Sequence, residues 1–485
     1  MHSTPPSTSR VQPALPVASS SAYSFVLFPA IAMMLGWGLR GFIGGGPFAA
    51  MIPGAFAALS LSLLLGHDRH TAAMTALFGA VAIGYGGEMT YGQTLGLACH
   101  PETMVWGLLG VTVKGAVWGL LGGAVLGTGL TVGQYKKHSL LLALLLSVVF
   151  LFIGWKLVNE PRLIYFSDPV NKPREELWAG LLFSALILLA FLYRKGDVEQ
   201  AHIPVHFALW AALGGGIGFG GGTLFLVYGP QLPVPQEWFG WWKAMEFFFG
   251  LILGASIGIA AWLNRERLKP LSADNAYRQD NPLAAVVLIF VVAGYFTLFP
   301  AIEEYLGNPG GDSFGMAGLI EYNLFRPLYT FVFFGALCIA AGMYSLTAAW
   351  QVAITITVFH TVVDFNRNLS RVAGIEAPLW IQALILVFVT GLVAVTVLLL
   401  QNRARTVSRM YLLLLWVCFF MAALRTFLRR ECLFPQEGAD KTCPLMNVHP
   451  SDWTVFAVFV LTSIATALCI RHFSKRNLPL TGGNG

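Results

Sequence analysis

Arg40, Glu88 and Lys114 are ionisable residues placed inside stretches that are otherwise apolar. A charge at bilayer depth costs at least about 2.5 kcal/mol on insertion scales, so it persists where it is paired or lines a polar pathway. Arg40 and Glu88 share a context: "GWGLRG" (36–41) and "GYGGEMTYGQ" (84–93) each carry the charge four residues after the first glycine of a Gly-aromatic-Gly element. If the two stretches are neighbours, the charges sit at matched depth and can pair, either as a lock on helix register or as a gate at a binding site. Tyr91 and Gln93 add a hydroxyl and an amide to the same stretch. Lys114, in "GVTVKGAVWG", has no local partner. Lys243 and Glu246, in "KAMEFFFG", are spaced to pair on one helix face.

A second constellation lies in "FHTVVDFNRN". His360 and Asp364 are at i and i+4, where a carboxylate orients an imidazole and suits it to proton transfer. As a metal site it is incomplete, because no third ligand is specified. The connections supply further acids: Glu102, Glu160, Asp168, Glu237 and the adjacent Glu303 and Glu304. Such carboxylates can serve as a base for group transfer, or simply be solvated. Trp238, beside Glu237 in "QLPVPQEWFGWW", is either an interfacial anchor or a stacking platform. Cys432 and Cys443 share one polar loop, leaving two readings open, a disulfide or two free thiols. Cys99 is expected to be unpaired. No phosphate-binding loop, zinc-protease motif, serine elbow or haem-attachment motif is present, so neither cofactor nor metal is expected.

The elements that must position these residues are membrane spans. Of 485 residues, 56% are hydrophobic and 11% charged, with a mean hydropathy of +0.67; soluble domains carry roughly 25% charged residues. Apolar runs long enough to cross a bilayer lie near 22–39, 47–66, 71–90, 104–133, 139–158, 177–193, 205–229, 242–263, 283–300, 327–343, 347–364, 379–401, 410–428 and 453–470. The expected fold is therefore an all-α polytopic integral membrane protein of about 14 helices. Basic residues concentrate on alternate connections, which places both termini in the cytoplasm and the chain in the inner membrane of a cell. The same bias explains the net charge of +6 without a nucleic-acid partner.

Residues 1–21 read as a disordered tail and 22–263 as a Gly-rich membrane half of about eight spans. A linker at 264–282 leads to a second half at 283–476 with about six spans, and 477–485 form a tail. Glycines in the first half predict interrupted helices. "IGYGG" (83–87) and "IGFGG" (217–221) each precede a Gly-rich span, which fits a parallel internal repeat or the plain demand of close helix packing. Interrupted spans bearing charges fit a secondary, non-ATP transporter for a small polar or anionic solute. On that reading Arg40, Glu88, Lys114, Tyr91, Gln93 and Trp238 bind the solute, and Glu88, His360 and Asp364 couple protons. The alternatives are a membrane-embedded transferase acting on a lipid-linked substrate at the external face, and a structural subunit of a membrane complex. In every case membrane lipid is a partner; the oligomer is not specified.

Overall fold

A computed structural model describes residues 20–87, 89–169, 174, 176–196, 198–268, 335–373, 378–428 and 448–476. The described elements are helical. In chain order they are α1 (Ala22–Ile43), α2 (Gly46–Leu64), α3 (Arg69–Gly86), the short α4 (Gly92–Ala98), α5 (Met104–Leu130), α6 (Lys137–Gly154), α7 (Trp178–Lys195), α8 (Val198–Tyr228) and α9 (Trp241–Asn264). After the undescribed stretch come α10 (Leu337–Tyr344), α11 (Leu346–Trp350), α12 (Thr357–Ala373), α13 (Leu379–Leu400), α14 (Thr406–Phe427) and α15 (Pro450–Arg476). Wide π-type turns extend α6 over Trp155–Asn159 and join α11 to α12 over Gln351–Ile356. Among the described residues ten helices are long and apolar enough to cross a membrane, and the described part is all-helical, consistent with a multi-pass membrane protein. Of the expected spans, 283–300 and most of 327–343 lie outside the described residues, while 47–66 and 71–90 form α2 and α3, which are not among those ten.

Local chemistry starts several helices where expected. The Asp68 side chain caps α3 by accepting from the Thr71 amide at 2.8 Å, and Ser345 caps α11 through Ala348 at 3.1 Å. Each cap satisfies an amide that has no partner inside its helix.

Helices α1, α9, α8, α5, α3 and α2 pack side by side in a closed ring, each touching the next. Two glycine stripes set its tightest seams. Gly115, Gly119, Gly123 and Gly127 recur every fourth residue on α5, and a Cβ at any of them would strike α8 at Gly215, Ala211, Phe207 or Pro204. Gly250, Gly254 and Gly258 do the same for α9 against Met33, Pro29 and Phe25 of α1. Without side chains in the seam the backbones approach closely, and van der Waals contact replaces the hydrophobic drive that lipid cannot supply. The glycines of these spans thus mark packing surfaces.

Inside the ring lie Trp37, Trp118, Phe219 and Phe249. Trp37 stands edge-on to Trp118 at 4.9 Å and to Phe249 at 4.4 Å between ring centroids, and Phe219 stacks on Phe249 at 4.8 Å. The α6–α7 pair braces α5 from outside, and the helices from α10 onward pack mainly against α1, α2 and α3. α13 turns Trp380, Leu384, Phe388 and Leu392 outward, as a lipid-facing helix does.

The two five-residue glycine motifs occupy different settings: "IGYGG" closes α3, whereas "IGFGG" lies within the unbroken α8. They nonetheless converge with "GWG" of α1 on one place. Trp37 and Phe219 both meet Phe249, and the Trp118 indole covers Gly86 so closely that a Cβ there would overlap it.

Candidate functional site

The apolar run expected to continue to residue 90 stops as a helix at Gly86. Trp118 donates its Nε1 proton to the Ile83 carbonyl at 2.9 Å, satisfying an acceptor near the helix end. Gly87 and residues 89–91 break the helix before the short α4 begins at Gly92. Glu88 lies outside the described residues.

Lys114 holds the break in place. Its ammonium donates to the Thr90 carbonyl at 2.7 Å, to Thr94 Oγ1 at 2.8 Å and to Glu176 Oε1 at 2.8 Å. Glu176 in turn accepts from the Phe166 amide at 3.1 Å and from Ser167 Oγ at 2.9 Å. Both side chains of this ion pair are 0% exposed. An ammonium has three donors, and all three are matched; both carboxylate oxygens are also occupied. Such saturation is the condition under which a buried pair is tolerated. The pair ties α5, the break and the 165–176 connection into one unit.

Arg40 stands in the last turn of α1, 5% exposed. Its guanidinium carbon lies 5.8, 5.5 and 5.8 Å from the ring centroids of Trp37, Tyr91 and Trp118, within reach of their negative faces. Nη1 donates to the Tyr91 hydroxyl. Nε has no partner, and among the described residues no carboxylate lies within ion-pair distance of this arginine. Two residues beyond Tyr91, both polar atoms of the half-buried Gln93 amide are also without partners. Buried polar atoms of this kind each cost on the order of 1–3 kcal/mol when left unmade, more for a charged group.

The residues around Arg40 gather the remaining candidates. Gly41 faces the Glu246 carboxylate, which accepts from Trp242 Nε1 at 3.1 Å and pairs with Lys243 at 2.5 Å. That Lys243–Glu246 pair matches the helical spacing read from sequence. Phe42 lies under two cations, Lys243 at 5.8 Å and Arg425 at 5.1 Å. Ile43, Asp364 and Arg425 border one small gap. Gly44 approaches His360, whose ring stacks on Phe48 at 5.7 Å. The end of α1 thus brings His360 and Asp364 from the second half to the same region as Arg40 and Tyr91 from the first.

The other expected residues are elsewhere. Glu102 and Glu237 are exposed, as is Trp238. Glu160 is exposed and bonded to Lys156 at 2.6 Å, and Asp168 is half-buried on the 160–169 connection. Glu303, Glu304, Cys432 and Cys443 lie outside the described residues. Cys99 is a free, exposed thiol. Among the described residues no cluster of His, Cys, Asp and Glu could hold a metal ion. Of the tryptophans near the 231–242 connection, Trp242 is the one that reaches the site, stacking on Tyr91 at 6.4 Å.

Sequence reasoning passed over Glu176, Trp118 and Arg425. Arg425 carried a readable signal, a lone arginine in the apolar run "MAALRTF". Glu176 carried none, since nothing marks it among the acids of its loop. No protein-family model, no curated protein sequence and no solved structure matches this chain.

Proposed function

We propose that the chain is a secondary transporter for a small anionic or polar solute, bound at the end of α1 by Arg40 with Tyr91 and Gln93. The observation that carries this is the buried Arg40 guanidinium: it is ringed by aromatic faces, lacks a carboxylate among the described residues and keeps Nε unpaired, while the Gln93 amide, two residues beyond its partner Tyr91, is unpaired as well. A cation and an amide with open bonding capacity suit an anion carrying several acceptor oxygens. The unwound segment after α3 supports the same reading, because backbone leaves helical form at membrane depth where it lines a polar cavity or is held by protein groups. Lys114 and Glu176 fix the position from which Tyr91 and Gln93 are presented.

Glu88, three residues before Tyr91, is proposed as the coupling carboxylate, with His360 and Asp364 as a second proton-handling pair at the same helix end. The proposal retains about 14 spans, cytoplasmic termini and an inner-membrane location. A transferase draws less support, because its acids Glu102, Glu160 and Glu237 are exposed on separate connections.

The test is uptake of a panel of labelled carboxylate and phosphate anions into vesicles reconstituted with the purified chain. Arg40→Gln is expected to abolish uptake of whichever anion the wild type carries, and Glu88→Gln to remove its dependence on a pH gradient. Failure of the wild type to carry any anion, or full activity in Arg40→Gln, overturns the reading.

A further inference from the structure

The facing sides of α14 and α15 form an amphipathic groove remote from the Arg40 site. On α14, Ser408, Arg409, Leu412 and Trp416 recur at helical spacing along one face, and Arg405, just before the helix, lines the same groove. On α15, Ile464, Leu468, Arg471, Ser474 and Lys475 do the same. The helices pack against one another with α14 starting where α15 ends, so both basic ends fall at one end of the pair. The groove between them has a volume of about 640 Å³.

Its two ends differ in chemistry. Arg405, Arg409, Arg471 and Lys475 are exposed, and none has a carboxylate within ion-pair distance among the described residues. The Ser408 and Ser474 side chains add hydroxyls at the same level. Further along, Trp416, Ile464 and Leu468 are exposed apolar side chains facing the same space. Arg409, Leu412 and Trp416 also border a second, almost wholly apolar groove of about 830 Å³ between α14 and α13. One arginine therefore stands at the head of two apolar troughs.

We propose that this groove is a binding site for an anionic glycerophospholipid, its phosphate held by Arg409 and Arg471 and its acyl chains laid along Trp416, Leu412 and Leu468. Charge complementarity selects the headgroup: four cations with no carboxylate within ion-pair distance among the described residues attract a phosphate, and the cation of a zwitterionic headgroup offsets part of that attraction. Guanidinium forks match phosphate oxygens in pairs. The apolar length selects a lipid over a free ion, because inorganic phosphate would leave the trough unused. The order of the side chains matches a phospholipid, with the charged heads at one end of the groove and the apolar side chains further along it. The site is independent of the transport reading, since it shares no residue with the Arg40 cluster.

Native mass spectrometry of the full chain in neutral detergent, titrated with phosphatidylglycerol or phosphatidylcholine, tests the proposal. The wild type should retain phosphatidylglycerol in preference to phosphatidylcholine. R409Q/R471Q should weaken that retention roughly thirtyfold, and R471Q alone about fivefold, from the attraction each basic residue contributes. R194Q/K195Q, at the end of α7, should leave it unchanged. The single variant alters one exposed side chain and keeps the test decisive if the double variant does not fold. Equal retention by wild type and R471Q, or equal retention of the two lipids, overturns the proposal. Displacement of the lipid by millimolar inorganic phosphate alone would assign the basic end to a free ion and overturn it likewise.

Discussion

Glu246 lays its carboxylate against the bare Cα of Gly41, one residue beyond Arg40, so closely that a Cβ on Gly41 would overlap both oxygens. The carboxylate is also bonded to Trp242 Nε1 and Lys243 Nζ, so displacing it disturbs both contacts. Gly41→Ala is therefore expected to break the Lys243–Glu246 pair although it alters neither residue. Overpacking of this type costs about 1–3 kcal/mol. The measurement is the melting temperature of the detergent-solubilised protein for Gly41→Ala, Glu246→Gln and the double variant. Because both single changes damage one contact, the double variant should be less destabilised than the sum of the two; full additivity would show that Gly41 does not act through Glu246.

Arg40→Lys separates charge from shape. Lysine keeps the positive charge but loses the planar group that lies among Trp37, Tyr91 and Trp118 and the Nη1 contact to the Tyr91 hydroxyl. Arginine and lysine are not interchangeable where stacking and forked bonding matter. Affinity for the transported anion is expected to fall about tenfold to a hundredfold in Arg40→Lys, on the order of 1.4–3 kcal/mol, and to be lost in Arg40→Gln. Tyr91→Phe, which removes only the hydroxyl, should cost less than either. Equilibrium binding of the anion identified by vesicle uptake gives the ranking, and equal affinities for Arg40→Lys and wild type would remove the guanidinium plane from the argument.

The Lys114–Glu176 pair makes a different demand. Removing one partner leaves the other charged and buried, a loss of about 3–5 kcal/mol, whereas replacing both with apolar groups of similar size is often near neutral. Lys114→Met alone and Glu176→Leu alone should each lower the melting temperature sharply or prevent purification. Lys114→Met with Glu176→Leu should recover much of that loss. The recovery will be incomplete, because Thr90, Thr94, Ser167 and the Phe166 amide also lose their partners.

These partners show what the chain discloses by itself. Among the described residues the helix positions were legible from apolar length, and the Lys243–Glu246 pair from spacing alone, since residues three apart on a helix share a face. Arg40 was legible as a charge needing an explanation, but its contact with Tyr91 was not. The sequence points from Arg40 to Glu88, a matched charge, whereas the described hydrogen bond goes to a hydroxyl presented by the unwound turn. The end of α3 at Gly86 was equally hidden. Apolar character continues through the motif, and nothing local announces the indole from α5 that occupies the space beside Gly86 and takes the Ile83 carbonyl. Glu176 lies 62 residues from Lys114, and no local rule selects it from the other acids of its loop. Periodicity reports which face of a helix is buried; which buried charge meets which is decided by packing between helices.

His67 supplies a prediction about pH. It lies on the connection between α2 and α3, buried, with the ordinary histidine value of 6.5 pushed down to about 4. Burial is the main cause, because it disfavours the charged ring, and the Leu268 backbone and the Asp68 carboxylate offset it only in part. The folded protein therefore keeps His67 neutral at pH values where the unfolded chain takes up a proton. Stability from this residue is fully present above about pH 6.5 and is lost as the pH falls toward 4, by about 3 kcal/mol over the whole window. Below that window the residue contributes no further slope. His67→Phe has no proton to bind in either state and should show a flatter fall in melting temperature between pH 7 and pH 4.5 than the wild type. Parallel curves for the two proteins would mean that another group governs acid stability and that His67 is already protonated in the fold.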